Sequence, residues 1–201
     1  MGALEPWNCL IVGVGGQGVV LASRLVACAS MDSGAFVRTA ETIGMSQRGG
    51  SVASHVRVAA CPEEVPSSLI GRGGANLVLS FEPGEAARAF SYLKPTGALV
   101  CASRAVVPAA APVYTGAAQL EWLSAHVEPK RFAVVDASAL DEAGLNPKCL
   151  NVMLLGAALG LRALPFPLAR LQAAMEGLVR PKLVPMNVKA LELGVKLASQ
   201  R

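Results

Sequence analysis

A glycine-rich turn directly after a short apolar run constrains the fold of this chain more than any other feature. The run covers residues 9–12, and the turn reads Gly13-Val14-Gly15-Gly16-Gln17-Gly18. An apolar run without alternation is typical of a strand covered on both faces, as in a parallel sheet. Residues 18–31 are apolar nearly all round, which predicts a mostly buried helix. The pattern therefore predicts a strand, a tight turn and a helix.

Strand-like and helical segments alternate along the rest of the chain. Further strands are predicted at 35–40, 51–58, 76–80, 98–101 and 132–136. Further helices are predicted at 83–93, 119–126, 138–144, 147–161, 168–178 and 187–199. Loops or turns are expected at 41–50 and 94–97, and a connector at 62–74 with a short helix at 65–71. In 51–58 the valines alternate with Ser51, His55 and Arg57, which predicts a half-exposed strand, antiparallel to its neighbours.

This alternation predicts an α/β fold. We expect a Rossmann-like, three-layer α/β/α sandwich around a mainly parallel, mixed sheet. The length of 201 residues indicates a single domain, 1–201. Strands whose carboxyl ends run into glycine loops predict a ligand crevice at those ends.

Composition excludes several classes of protein. The net charge is +4 and aromatic residues are 4%, so the basic stripe or stacking aromatics of a nucleic-acid binder are missing. Apolar residues reach 53% and charged residues only 16%. The longest apolar run, 152–161, is shorter than the roughly 18 residues of a membrane span, and no signal peptide is evident. We therefore expect a cytoplasmic protein that buries apolar surface against a partner.

Neither the cysteines nor the usual catalytic motifs indicate a self-sufficient enzyme. The five cysteines are scattered without a C-x-x-C pair, so no zinc or iron–sulfur site on ordinary spacing is expected: Cys9, Cys28, Cys61, Cys101 and Cys149. They are predicted to be free thiols in a reducing compartment. Patterns for a serine nucleophile, a zinc protease, a phosphate-binding P-loop or paired carboxylates are not found.

The first glycine turn matches the dinucleotide-binding pattern G-x-G-x-x-G through Gly13, Gly15 and Gly18. Glycines at these positions let a phosphate approach the N–H groups of a helix N-terminus. The same pattern also describes a tight turn that binds nothing, and the sequence leaves both interpretations open. Gln17 is predicted either to contact an oxygen-rich ligand or to tie the turn to the next loop.

A second glycine loop contains Gln47, Arg48, Gly49 and Gly50. A planar cation beside exposed backbone N–H groups is typical of an anion-binding loop. The alternative is an ion pair of Arg48 with Glu41 that holds the loop in place. His55 has no neighbouring nucleophile or acid in sequence, so we expect it to lie at an interface or to form a structural hydrogen bond.

These residues resemble a known family. The resemblance rests on residues 11–18, on Glu41-Thr42-Ile43-Gly44-Met45-Ser46-Gln47-Arg48-Gly49-Gly50-Ser51-Val52 and on His55-Val56-Arg57. Later matches are Phe81-Glu82-Pro83, Tyr92-Leu93-Lys94-Pro95, Gly97, Asn151, Leu154-Leu155-Gly156-Ala157, Asn187 and Gly194. They resemble the gamma-type domain of 2-oxoacid:ferredoxin oxidoreductases, within that family the small (beta) subunits acting on indolepyruvate and other arylpyruvates. Residues 106–115 and 164–167 match nothing in it.

The resemblance implies a subunit and not a complete enzyme. It implies a large (alpha) subunit that holds thiamine diphosphate and [4Fe–4S] clusters, converts an arylpyruvate and coenzyme A (CoA) to an aryl-acetyl-CoA, and reduces ferredoxin. The expected occupant of the glycine crevice is the CoA pyrophosphate or another phosphate-bearing cofactor that reaches across the interface, and the alternative is that the turns only pack against the large subunit. The crevice is lined by Gly13, Gly15, Gly16, Gln17, Gly18, Gln47, Arg48, Gly49 and Gly50. Alternatives are a stand-alone NAD- or FAD-dependent oxidoreductase, and a docking domain without catalytic function.

Overall fold

The chain forms a mixed β-sheet with helices on both faces. The computed structural model describes residues 6–44, 49–107 and 113–199. The strands are β1 (Trp7–Val14), β2 (Phe36–Ile43), β3 (Ser51–Ala59), β4 (Ala75–Ser80), β5 (Leu93–Ala102) and β6 (Phe132–Val135). The helices are α1 (Val19–Met31), α2 (Pro83–Ala89), α3 (Ala117–His126), α4 (Ser138–Glu142), α5 (Leu150–Gly160), α6 (Leu168–Leu178) and α7 (Val184–Ser199).

The sheet has the strand order β2-β3-β1-β4-β5-β6. Strands β1, β4, β5 and β6 are parallel to one another, whereas β3 runs antiparallel to both β1 and β2. Cys9 and Ile11 of β1 pack into a core shared with α1, α5, α6 and α7, while Leu10 and Val12 pack into a second core with α2 and α3. The predicted three-layer α/β fold with a mixed sheet is confirmed.

Two glycines bring α5 and α7 into close contact. A Cβ atom added at Gly156 would lie 2.0 Å from the carbonyl oxygen of Leu191, and one at Gly194 would lie 2.0 Å from that of Met153. Only glycine therefore permits this crossing at both positions. Because α5 also packs on the sheet, all its residues from Asn151 to Ala158 are buried. No helix among the described residues is long and apolar enough to cross a membrane.

Three local predictions are wrong. Residues 41–43, predicted as loop, extend β2 because they pair with β3. Residues 94–97, predicted as a turn, lie within β5. Ala75 pairs with Leu93 and Leu77 pairs with Ala98, so the residues between Leu93 and Ala98 form a bulge in the strand. Residues 65–71, predicted as a short helix, are irregular in the structure.

The irregular segment also corrects the predicted exposure of β3. Its backbone groups bond to β3 side chains: the Ile70 N–H donates to His55 Nδ1, and Arg57 donates to the carbonyls of Ser67 and Leu69. Because this segment lies over one face of β3, His55 is buried and not half-exposed. The expected hydrogen-bonding role of His55 is confirmed.

Candidate functional site

The glycine turn lies where successive helices change sides of the sheet. Helix α1 follows β1 and packs on one face, whereas α2 follows β4 and packs on the other. The carboxyl ends of β1 and β4, which are neighbours in the sheet, therefore diverge into loops that leave a crevice between them. Ligands of open α/β sheets bind at such switch points.

Gln17 bridges this crevice. Its Oε1 accepts a hydrogen bond from the Val14 N–H at 2.7 Å, and its Nε2 donates to the Phe81 carbonyl oxygen at 3.1 Å. A Cβ added at Gly13 would lie 2.8 Å from Gln17 Oε1 and 2.9 Å from Phe81 Cβ. Gly13 is thus required for packing at the end of β1, and Gln17 ties the turn to the end of β4.

Gly16 and Gly18 shape the part of the turn that faces solvent. Their φ angles are +95° and +88°, a left-handed conformation that favours glycine. Gly18 precedes α1 and has no side chain to cap it. The first N–H groups of a helix lack partners within the helix and carry partial positive charge. This end of α1 is therefore suited to an anion.

The second glycine loop contacts the first. The Gly15 N–H donates to the Gly50 carbonyl at 2.9 Å, and Gly49 has φ +80°. Ser51 Oγ, at the start of β3, donates to the buried carboxylate of Glu85 on α2 at 2.5 Å. The two loops are therefore held together and to α2. Gln47 and Arg48 lie outside the described residues, so their part in the site stays a prediction.

A cleft of ≈ 760 Å³ opens beside the first glycine turn. It is lined by Gly16, Gln17, Gly18, Leu21, Phe81, Arg104, Ala105, Val106, Val107, Pro147, Lys148, Leu150 and Asn151. Arg104 and Lys148 are exposed, and neither forms an ion pair with any residue that the structure describes. Glycine N–H groups with two cations that lack acidic partners favour an anionic ligand.

Asn151 completes the wall of this cleft next to Gly18. A Cβ added at Gly18 would lie 2.9 Å from Asn151 Nδ2, so the amide packs directly against the turn. Asn151 is buried, and its Oδ1 accepts from the Val152 N–H at 2.9 Å. Its Nδ2 donates to no acceptor in the described part of the chain, so the wall of the cleft holds an amide donor without a protein partner.

Sequence reasoning missed Arg104 and Lys148 and noted Asn151 only through the resemblance. Arg104 lies just beyond the carboxyl end of β5, as the glycine turn lies beyond that of β1, so its position in the sheet was a usable signal. Lys148 and Asn151 come from a segment that folds back to the cleft after β6, and no local pattern predicts this return.

An apolar groove of ≈ 420 Å³ adjoins the glycine turn on its other side. Its lining includes Gly15, Val20, Ile43 and Val52. Ile43 is 63% exposed, and Val107, which lines the cleft on the other side of the turn, is 53% exposed. The glycine loops therefore lie among apolar side chains that face solvent in the isolated chain, which is typical of a surface that binds a partner.

Glu82 anchors the chain on its return from β5 to α3. Its carboxylate accepts from the Glu85 N–H at 2.9 Å, which caps α2, and from the Tyr114 hydroxyl. Burial and the bond to Glu82 raise the pKa of the Tyr114 hydroxyl, so Tyr114 stays protonated as the donor. A Cβ added at Gly84 would lie 2.7 Å from the Tyr114 hydroxyl oxygen. The pair thereby fixes one end of the segment that carries Arg104 and Val107.

The cysteines do not fit a metal cluster. Cys9, Cys101 and Cys149 are buried, and burial raises the pKa of each thiol, which opposes the thiolate form that binds metal. Within 6–44, 49–107 and 113–199, no three potential metal-ligating side chains of His, Cys, Asp or Glu lie together. The described residues therefore offer no ligand set for an iron–sulfur cluster.

The fold is shared with subunits and domains of solved 2-oxoacid:ferredoxin oxidoreductases. The structure is similar to the gamma subunit of a keto/oxoacid ferredoxin oxidoreductase from Geobacter sulfurreducens PCA, with a TM-score of 0.68 and 20% identity over 97% of this chain and 99% of that one. It is similar also to part of the 2-oxoglutarate:ferredoxin oxidoreductase from Magnetococcus marinus, with a TM-score of 0.68 and 17% identity over 98% of this chain and 32% of that one. These likenesses establish the fold.

Sequence comparison identifies the family. Residues 8–197 match the family described as pyruvate ferredoxin/flavodoxin oxidoreductase, and the chain belongs to it. The chain is 36% identical to the indolepyruvate oxidoreductase subunit IorB of Pyrococcus horikoshii over 98% of both chains. It is 34% identical to the protein of the same name from Archaeoglobus fulgidus, over 95% of this chain and 94% of that one. The family predicted from the glycine loops is confirmed.

Proposed function

We propose that this chain is the small subunit of an indolepyruvate, or more broadly arylpyruvate, ferredoxin oxidoreductase. The complex carries out oxidative decarboxylation of the arylpyruvate to an aryl-acetyl-CoA and passes the electrons to ferredoxin. The observation that carries the proposal is similarity along nearly the whole chain to relatives named as indolepyruvate oxidoreductase subunits. The described residues bring no three potential metal-ligating side chains together, which is compatible with a role as one part of a larger enzyme.

The partner in this proposal is a large subunit that holds thiamine diphosphate and the [4Fe–4S] clusters. Thiamine diphosphate supplies the carbanion chemistry of decarboxylation, and the clusters carry single electrons. This chain contributes the apolar rim around the glycine loops, where Ile43 and Val107 are exposed. Burial of that rim against the large subunit also accounts for the apolar composition of 53%.

The cleft beside Gly16 and Gly18 is proposed to hold the phosphate groups of CoA. Its N–H groups, Arg104 and Lys148 supply donors and positive charge, and Asn151 supplies a further amide donor. The 2-oxoglutarate:ferredoxin oxidoreductase from Magnetococcus marinus has coenzyme A bound in its structure, which supports CoA as a ligand of proteins with this fold. In this arrangement the small subunit positions CoA at the boundary with the subunit that performs the chemistry.

Steady-state kinetics on a co-expressed complex test the cleft assignment. Lys148→Gln and Arg104→Gln are expected to raise the KM for CoA about tenfold each, with kcat at saturating CoA little changed, because each removes one charge-assisted contact to phosphate. Lys130→Gln is the matched control, since Lys130 is exposed at the amino end of β6, away from the cleft. An unchanged KM for CoA in both cleft variants would remove CoA from this cleft.

A substrate panel tests the proposed specificity on the same complex. Indolepyruvate and phenylpyruvate are expected to support acceptor reduction at a higher kcat/KM than pyruvate or 2-oxoglutarate. Calorimetry of the isolated chain with NAD and FAD is a second test. No binding is expected, because Gln17 takes up the Val14 N–H group and closes the gap between the ends of β1 and β4. Tight dinucleotide binding to the isolated chain, or preference for pyruvate, would contradict the proposal.

A further inference from the structure

A second cavity lies on the face of the sheet opposite to α1. It is enclosed by α2 and by strands β1, β2 and β3. Its volume is ≈ 270 Å³. It is lined by Leu10, Val12, Thr42, Ser51, Ala53, His55, Leu69, Ile70, Glu85, Arg88, Ala89 and Tyr92. The cavity shares no lining residue with the cleft beside Gly16 and Gly18, so it is a separate site.

His55 presents a fixed donor to this cavity. The residue is 6% exposed, and its Nδ1 accepts from the Ile70 N–H at 3.1 Å. A neutral imidazole that accepts at Nδ1 carries its proton on Nε2. Burial, with a smaller contribution from the charge of Arg57, lowers the pKa of His55 and keeps the ring neutral. No acceptor in the described part of the chain bonds to Nε2, so the lining of the cavity holds an N–H group without a protein partner.

The remaining walls determine what could accept from this N–H group. Leu10, Val12 and Ala53 give an apolar floor, and Leu69, 51% exposed, stands at the edge. At the other end, both oxygens of Glu85 are occupied, one by Ser51 Oγ and one by Arg88 at 2.9 Å. The Arg88 side chain is 75% exposed and retains unused N–H donors. The polar groups still free in the cavity are therefore mainly donors.

We propose that this cavity binds a small apolar compound that carries an acceptor oxygen, a one-ring carboxylate or carbonyl compound. The oxygen accepts from His55 Nε2–H and the ring lies on the floor of Leu10, Val12 and Ala53. The volume suits a single ring, because cavities of about 150 Å³ lined by apolar side chains already hold benzene. A cationic ligand is disfavoured because it offers no acceptor to His55, and because the Glu85 carboxylate in the lining is already paired with Arg88.

Nitrogen-15 NMR of the isolated full-length chain tests this proposal directly. The sequence holds two histidines, so selective labelling of histidine gives one signal set for His55 and one for His126. Phenylacetate and phenylacetamide are expected to shift the His55 Nε2 resonance saturably while the His126 resonances stay unchanged. Benzylamine, of similar size but cationic, is expected to leave both histidines unchanged. Tighter binding of phenylacetate than of the amide would identify a carboxylate as the preferred ligand.

Variants separate binding at this cavity from nonspecific effects. Ala53→Leu fills the floor and is expected to abolish the phenylacetate shift. Thr39→Leu, at an exposed residue on the opposite face of the sheet, leaves it unchanged. His55→Phe is expected to weaken binding at least about tenfold, as measured by calorimetry, because the acceptor oxygen loses its donor. His55→Gln retains an amide donor and is expected to restore most of the affinity.

Several results would overturn the proposal. Equal shifts of His55 and His126, or equal binding of benzylamine, would indicate nonspecific association. If none of the compounds shifts His55 but assembly with a large subunit does, the cavity receives a partner side chain instead. The proposal is independent of the proposed function, because binding is measured without any partner, 2-oxoacid or CoA.

Discussion

At the scale of single residues, Gln17 explains why a dinucleotide-like turn need not hold a dinucleotide. The pattern of Gly13, Gly15 and Gly18 correctly predicts a strand, a turn and a helix. It does not show that the side chain between them bonds to Val14 and Phe81 and occupies the crevice. That contact spans the chain from β1 to β4, and local sequence carries no signal for it.

Replacing Gln17 with Glu tests this bridge. The carboxylate keeps the bond from the Val14 N–H but turns an oxygen toward the Phe81 carbonyl, which costs about 1–3 kcal/mol. A negative charge near the start of α1 offsets about 0.3–1 kcal/mol of this cost. We expect the free energy of unfolding, measured with denaturant at pH 7.5, to fall by about 1–2 kcal/mol.

The control for this variant is Gln172→Glu on α6, a half-buried side chain without a hydrogen bond to any residue that the structure describes. It should change the free energy of unfolding by less than about 0.5 kcal/mol. Equal effects of the two substitutions would show that the bridge through Gln17 contributes nothing to stability.

His55 gives the protein a pH-dependent stability. Burial and the charge of Arg57 lower the pKa of His55 in the folded chain from 6.5. At acidic pH the unfolded chain therefore binds more protons than the folded chain. The stabilisation is complete above pH 6.5 and is lost as the pH falls from 6.5 through the lower pKa of the folded state. The free energy of unfolding should therefore fall more steeply between about pH 7 and 5 in the wild type than in His55→Gln. Identical slopes would contradict a lowered pKa.

At the scale of secondary structure elements, most strands and helices were predictable because each carries its own pattern. The alternation of valines in residues 51–58 correctly predicts a strand, and the apolar residues 77–79 correctly predict the buried centre of β4. The errors occurred where a distant partner determines the conformation. Residues 41–43 become strand only by pairing with β3, and residues 65–71 lose their helix because their backbone groups bond to His55 and Arg57.

The crossing of α5 and α7 allows a sharp test at this scale. Gly156→Ala places a Cβ 2.0 Å from the Leu191 carbonyl oxygen, so the helices must separate. We expect the free energy of unfolding to fall by about 3 kcal/mol, at the upper end of ordinary overpacking. Gly177→Ala is the matched control, because a Cβ there meets nothing within 4 Å and alanine favours a helix. That variant should be neutral or more stable by up to about 1 kcal/mol, and comparable losses in both would contradict the tight crossing.

At the scale of the whole molecule, the candidate site was partly predictable. The sequence placed the two glycine loops together at one edge of the sheet, and the bond from Gly15 to Gly50 confirms that they meet. Arg104, Lys148 and Asn151 reach the same edge from later segments, so their contribution appears only in the folded chain. The folded chain has a crevice with positive charge and an apolar rim, and its described residues offer no ligand set for a metal cluster. This combination suits one half of a shared site.

The most direct measurement of that claim is a reconstitution titration. Purified large subunit, with thiamine diphosphate and clusters in place, is mixed with increasing amounts of this chain, and indolepyruvate-dependent reduction of a low-potential acceptor is followed in the presence of CoA. The account predicts little activity from either subunit alone and a rate that rises until the subunits reach a fixed ratio and then stays constant. Full activity of the large subunit alone, unchanged by addition of this chain, would contradict it.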